Sequence, residues 1–568
     1  MRGILVVFRD LLTWQQEIRT VASFLCRFLR VFPLCAVLVW TAGCTISRRL
    51  ATLDREVQEY IKATEAEVLP GRPSTGIALD AYRPAAAEFI AGIPSVLDLR
   101  TALVLAARHS RSYQSAREAL YTNAIGLWAE SRDWEWNITN SVSALIGRDL
   151  SVPETTLGGE GSLGLTRRLV SGARLSASLT VGALRYLSGR GDVNISSLAS
   201  LTLTQPLLSG SGRLVAREPL TQAERGLVYA LRTYVRKRKA LVLEVADDYY
   251  TVLSAMDGLA TAERSYENLR ASRERSELLA DSGRLPPFQV DQALQDELRA
   301  RATVISQRQA LDANLDRLRR TLGLPLNTEL ALDRTELTRL EGAELAPPPM
   351  SFAAALALAL RQRLDYATAR DELEDAERAA RIAYDDARAK LDLTVSGRAS
   401  APPATRLRAL AWDQGDYSAG VDAELPFNRT AEIAAHKRAL VALARERRAV
   451  AEFRDTIEAE LRSDWRTLQS AMQTYEIQRR SLDLAERRIE RLELLLEAGR
   501  VEMRDVLDAR DSLTEARNAL TRALVTHRLS WLRLQYDLER LSTDPETLWS
   551  EALELSDAGV GGESDDEN

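Results

Sequence analysis

Two spacings of apolar residues divide this chain. In long stretches they recur every three and four positions; in short ones they alternate strictly with polar residues. The helical pattern is longest near the end. Arg429 to Ala498 contains neither Gly nor Pro, Gly499 interrupts once, and Arg500 to Asp544 again contains neither. Charged residues mixed with Ala and Leu favour helix throughout. At ~1.5 Å per residue, the first arm is predicted to be roughly 100 Å long. Such a length implies coiled coil, membrane span or repeat, and the heavy charge excludes a span. Leu482, Ala485, Ile489, Leu492 and Leu496 form a heptad seam, and Leu513, Ala516, Leu520 and Ala523 repeat the step in the second arm. Gly499 supplies the backbone freedom for a reversal. The pattern predicts an antiparallel helical hairpin with a narrow, Ala-rich seam.

The alternating stretches predict strands. Trp136, Ile138, Val142 and Ala144 alternate with Asn137, Thr139, Ser141 and Ser143; Ile195, Ala199, Leu201 and Leu203 alternate with Ser196, Ser200, Thr202 and Thr204. Later, Leu391, Leu393, Val395, Gly397 and Ala399, then Tyr417, Ala419, Val421, Ala423 and Leu425, do the same. A transmembrane barrel gives this signature, and so does a half-buried soluble sheet. Four core strands cannot close, since the smallest outer-membrane barrels have about eight. If the strands lie in lipid, open edges are not tolerated, so several chains must share one barrel. An extra hairpin near 161–187, turning at Ser171-Gly172, has no assigned place in this scheme. Gly158-Gly159-Glu160-Gly161 reads as turn chemistry; no helix with Lys follows it to make a phosphate loop.

The chain also reads as built twice. Ala102-Leu103-Val104-Leu105-Ala106-Ala107-Arg108 matches Ala355-Leu356-Ala357-Leu358-Ala359-Leu360-Arg361, and Tyr113, Ala116, Arg117 and Leu120 match Tyr366, Ala369, Arg370 and Leu373. A constant offset over that length points to internal duplication. Gly283-Arg284-Leu285 parallels Gly499-Arg500-Val501, with Pro286-Pro287 stiffening the first turn. The expected organisation is a signal peptide (1–43), an N-terminal segment (44–94), a first helix–strand–strand–helix repeat (95–325), a linker (326–350), a second repeat (351–544) and a C-terminal segment with an acidic, disordered tail (545–568).

Composition narrows the function classes. Aromatic content is 6% and net charge −6, so there is no basic footprint for nucleic acid. The three cysteines, Cys26, Cys35 and Cys44, all lie in the leading segment, which excludes a disulfide framework and a metal cluster. His109, His436 and His527 are far apart and read as helix-surface residues. No catalytic constellation, cofactor site or metal site offers itself, so an enzyme is not expected. Arg27 and Arg30 precede an apolar run, Val31 to Val39, and a small-residue site, as in a secretory signal. Ala42-Gly43-Cys44 resembles the bacterial lipobox, with Thr41 where Leu is usual. A lipoprotein acylated (palmitate) at Cys44 and a plain signal peptide with an incidental Cys both fit.

Several motifs, in order, carry a resemblance. Gln205-Pro206-Leu207-Leu208 with Gly210 leaves the first strands, Leu425-Pro426-Phe427 leaves the second, Gly283 and Gly499 mark two helical tips, and Asp505-Val506-Leu507-Asp508-Ala509 follows the latter. Together they resemble the TolC-like outer-membrane efflux proteins over nearly all of the mature sequence. The resemblance implies a mainly α fold with a transmembrane β part: a homotrimer whose twelve-stranded outer-membrane β-barrel continues as a long antiparallel α-helical coiled-coil barrel through the periplasm. It implies a passive duct for tripartite efflux or type I secretion, contacting outer-membrane lipid, a periplasmic adaptor (membrane fusion) protein and an inner-membrane transporter. Asp505 and Asp508, three apart on one helix face, match the family's periplasmic aperture; a solvated face gives the same pattern. The family's Tyr and Arg latch falls on Leu496 and Val501, so it is not carried over; Arg500 or Arg504 is the candidate substitute. The competing class is a structural coiled-coil envelope lipoprotein without transport activity.

Overall fold

The computed structural model describes residues 46–69, 96–149, 154–186, 193–283, 285–342, 350–401, 415–425, 427–497, 500–501 and 503–543. The chain divides into two compact units, one drawing on Met1–Leu79, Tyr121–Tyr229 and Glu374–Arg445, the other on Asp80–Leu120, Ala230–Leu373 and Glu446–Asn568. Cys44, Gly499 and the acidic tail lie outside the described residues, as does most of the leading segment.

The first unit is built on one antiparallel sheet. Its strands are β1 (Asn137–Asp149), β2 (Glu154–Arg168), β3 (Arg174–Tyr186), β4 (Val193–Pro206), β5 (Lys390–Ala401) and β6 (Asp416–Glu424), hydrogen-bonded in that order. The four expected core strands are β1, β4, β5 and β6. The hairpin with no assigned place is β2–β3, inserted between β1 and β4. Gly158-Gly159-Glu160-Gly161 is corrected by this placement: it lies inside β2, with Gly158 opposite Leu145 and Gly161 opposite Val142. Its short side chains permit turns, but the β1 and β3 ladders on either side hold it extended.

Register gives the sheet two unlike faces, because directly opposed residues point the same way. One face carries Ile138 and Leu165, then Ala177 and Leu201, then Gly397 and Tyr417. The other carries Ser141, Ser162, Thr180, Ser178, Ser200 and Ser396. Cross-strand hydroxyl pairs lie on that polar face: Ser141–Ser162 at 2.7 Å, Ser178–Ser200 at 2.8 Å and Ser396–Ser418 at 2.7 Å.

The leading segment contributes a helix that the sequence pattern did not announce. This helix, α1 (Ile46–Val68), packs on α3 (Arg111–Arg132), which follows α2 (Leu99–His109). Trp128 Nε1 donates to Glu56 Oε2 at 2.7 Å, Tyr60 donates to Ser131 at 3.2 Å, and Val57 and Ile61 are buried.

The second unit is helical. It takes most of α4 (Arg213–Asp281), then α5 (Pro287–Leu322), α6 (Thr335–Gly342), α7 (Phe352–Gln362), the start of α8 (Leu364–Asp386), most of α9 (Thr430–Glu497), and α10 (Met503–Asp537). One set of buried residues is Leu97, Tyr249, Tyr250, Leu253, Leu318 and Leu322, with Tyr249 donating to the Leu97 carbonyl at 3.1 Å. A second gathers Ala355, Ala359, Ile457, Leu461, Leu468, Leu534 and Leu538. The segments α2 and α7 are each 11 residues long, N-capped by Asp98 and Ser351, and broken from the next helix at Ser110 and Arg363, both in extended backbone. Gly323 ends α5 with φ 75°, and a Cβ there would lie 2.1 Å from the His109 carbonyl oxygen, so only glycine fits.

Candidate functional site

The first helical tip forms as its residues dictate. Gly283 has φ 73°, a conformation glycine adopts without cost, and Pro287 opens α5 where its missing N–H leaves no bond unmade. At the second tip, α10 begins just after Gly499. Val506 and Ala509 are buried, whereas Asp505 and Asp508 sit exposed on another face of the same two turns. The two carboxylates thus share a face turned away from the packing seam. A third acid joins them that sequence reasoning missed. Desolvation by the packed helices, then the charges of Asp296, Asp508 and Glu515, push the Asp511 carboxyl above its ordinary range. Asp296 belongs to α5, so this end of α10 lies near the first hairpin's returning arm. The signal was present at the next i+3 position after Asp508, one step beyond the motif.

The seam behind these acids is as the heptad reading expects. Leu482, Ala485, Ile489 and Leu492 on α9 are half-buried, and Ala516 and Ala523 on α10 are buried. Nearer the middle of α9 packing is tighter: Leu461, Leu468, Ala471 and Tyr475 are all buried. Two exposed ion pairs cross the thin part, Arg510 to Glu493 at 2.8 Å and Arg517 to Glu486 at 3.3 Å. Arg500 and Arg504, the candidate latch substitutes, are exposed, and the inter-arm ties at Arg510 and Arg517 lie further along α10. Thr521 ties α10 to α4 by donating to Asp257 at 2.9 Å.

Farther along, α10 ends in a buried charged cluster. Lys239 Nζ donates to both the side chain and the carbonyl of Glu539 at 2.6 Å, and Arg236 donates to Glu539 Oε1 at 2.6 Å. Arg236 also faces Asp365 at 3.2 Å, and Arg363 faces Asp365, Glu460 and Asp537. Lys239, Arg363, Asp537 and Glu539 are all buried. Burial, then the hydrogen bond and charge of Asp464, push the Asp537 carboxyl up to about 8. His527 is buried as well, contrary to its reading as a surface residue, and burial followed by the charge of Arg528 lowers it to about 4. Among the described residues no helix is long and apolar enough to cross a membrane. On the sheet, Ile138, Val142, Leu163, Leu201, Val395 and Val421 stand exposed on one face and form an apolar band.

Residues 156–324 match the family model described as outer membrane efflux protein. No curated protein sequence matches the chain. Among solved structures, the outer membrane channel CmeC of Campylobacter jejuni aligns with a TM-score of 0.58 at 14% identity, over 81% of this chain and 89% of that one. The MtrE outer membrane channel of Neisseria gonorrhoeae, in its open state, aligns at 0.57 and 14%, over 79% and 90%. The outer membrane protein VceC of Vibrio cholerae aligns at 0.55 and 15%, over 78% and 95%. Residues 156–324 are therefore similar to the outer membrane efflux protein domain, within a chain whose fold is similar to that of solved outer-membrane channels.

Proposed function

We propose that this chain is the outer-membrane channel of a tripartite efflux or type I secretion system: a passive homotrimeric duct, inserted in the outer membrane by its strands and reaching into the periplasm by its helical hairpins. One observation carries the reading. A sheet apolar on one face and Ser/Thr-rich on the other shares a chain with long helical hairpins that leave apolar positions open. Ile138, Val142 and Val421 on the sheet, and Leu298, Ile305, Ile477 and Leu484 on the hairpins, are exposed in the single chain. Lipid suits the first group and neighbouring copies the second. Energy and substrate choice then belong to an inner-membrane transporter, joined through a periplasmic adaptor at the helical tips. Acylation at Cys44 supplies a lipid anchor beside the barrel.

Asp505 and Asp508 are the proposed aperture. Three copies bring six carboxylates around one axis, a ring that attracts cations and narrows when they bind. Asp511 deepens the same acidic surface. Purified protein in a planar bilayer should conduct, with current blocked by divalent cations from the periplasmic side. Asp505→Ala combined with Asp508→Ala should weaken that block by at least tenfold in concentration. Unaltered block removes the aperture assignment; absence of any conductance removes the duct.

A further inference from the structure

The inserted hairpin β2–β3 is an integral part of the sheet. Its outer ladders are complete: β1 pairs with β2 from Asn137–Thr166 to Asp149–Glu154, and β3 pairs with β4 from Arg174–Thr204 to Arg185–Val193. There is no direct β1–β4 pairing for the hairpin to fold away from. Its alternation is in phase with its neighbours. Leu163 lies opposite Leu179, which lies opposite Ala199, so the apolar band crosses the insert unbroken. Ser162 lies opposite Thr180 and Ser141, keeping the polar face polar.

The turn between β2 and β3 is docked at the strand-to-helix junction. The Gly212 amide donates to the Ser171 carbonyl at 3.2 Å, and Ser171 Oγ donates to Gln205 Oε1 at 2.8 Å. Gln205 Nε2 donates back to the Ser171 carbonyl at 3.2 Å. Gly172, at φ 92°, lies so close to this junction that a Cβ would meet the Gly210 carbonyl at 2.6 Å. The turn is therefore seated against the chain that enters α4.

Two edges remain, β1 and β6. They alternate in direction along a six-stranded antiparallel sheet, so they run opposite to one another. A ring of copies can then place β1 beside the next copy's β6 and stay antiparallel throughout. Resting on the trimeric channel reading above, we infer that each copy contributes six strands and that three copies close an eighteen-stranded barrel, in place of the twelve strands the family resemblance implies. The occupant of each edge is a second copy of this chain. Barrel diameter grows about linearly with strand number. With strands ~4.8 Å apart and tilted ~40°, eighteen strands give roughly 36 Å between opposing backbones and twelve give roughly 24 Å. The Ser171-Gly172 turn joins β2 directly to β3, so neither of these strands runs on into a helix.

The test counts strands. The full-length protein, in nanodiscs, is imaged by electron cryomicroscopy beside a variant lacking 150–192, in which Asp149 is joined to Val193 by a short turn. That excision removes one up-strand and one down-strand, leaving the chain direction intact. The expected result is a trimer with eighteen strands for the full chain, about 1.5 times as wide as the twelve-stranded excision variant. A trimer with twelve strands and the hairpin outside the wall overturns this inference and leaves the channel reading standing. A monomer or a dimer overturns both. If the excised chain does not fold, the count on the full-length protein decides alone.

Discussion

At Glu539 the backbone adopts φ 56°, a left-handed conformation unusual for a side chain of this kind. The structure over-determines it: Lys239 holds both its carboxylate and its carbonyl, and Arg236 holds the second oxygen. Lys239→Met removes one partner of a buried pair and leaves excess negative charge in the interior. The expected loss is about 3 kcal/mol, read as a lower melting temperature, with Lys239→Arg recovering part of it. An unchanged melting temperature contradicts the assigned role. Asp537 offers a second, pH-resolved test. Its carboxyl stays protonated in the fold up to about 8 because burial and Asp464 disfavour its charge. In the unfolded chain an Asp titrates near ~3.9. Between these values the unfolded chain releases a proton that the fold keeps, so this residue makes stability fall as pH rises from about 4 to about 8. Asp537→Asn should melt higher than the native protein at pH 8, with the gap closing toward pH 4; a gap independent of pH rules the protonated state out. None of these pairings was legible in the sequence. Lys239 and Glu539 are 300 positions apart, and no periodicity links a cation on one helix with an anion past the end of another.

At the scale of elements, the second hairpin is firm at its middle and thin toward its tip. Tyr475 and the residues before it on α9 pack closely, whereas Leu482 to Leu492 are only half-buried. Small side chains interlock shallowly, so the distal arms separate at lower cost than the proximal ones. Arg510–Glu493 and Arg517–Glu486 tie them, but exposed pairs are screened and contribute ~0.2–1 kcal/mol each. Arg510→Ala with Arg517→Ala should therefore leave global stability within about 2 kcal/mol of native. Amide exchange over 482–495 should speed up several-fold while exchange over 457–468 stays unchanged. Uniform acceleration along α9 contradicts a locally loose tip. The hairpin was readable because its heptad seam needs only local spacing. The strands were readable because alternation survives in every one of them. The sheet order was not: β2–β3 carried the right alternation, yet its Gly158-Gly159-Glu160-Gly161 run looked like a turn. Only pairing with β1 and β3 shows that the glycines stand in an extended strand.

At the scale of the molecule, each chain holds a two-faced sheet with two edges and a set of helices with unfilled apolar positions. On the proposed reading neither is complete alone. The exposed Ile138 and Val142 on β1 and Val421 on β6 put apolar surface at both edges, where a solitary soluble sheet would carry charge or a covering element. Alternation alone suited a half-buried soluble sheet as well; the proposed duct came from the ordered motifs, and the need for closure follows only if the strands lie in lipid. The tip role of Asp505 and Asp508 rested on their motif position; their exposure beside buried Val506 and Ala509 is compatible with it. The central claim is that the wall is finished only by assembly, and the mass of the purified protein in mild detergent tests it most directly. The account predicts a particle of three chains that conducts on transfer to a bilayer. A stable single chain, with the β1 and β6 amides protected from exchange in isolation, contradicts it.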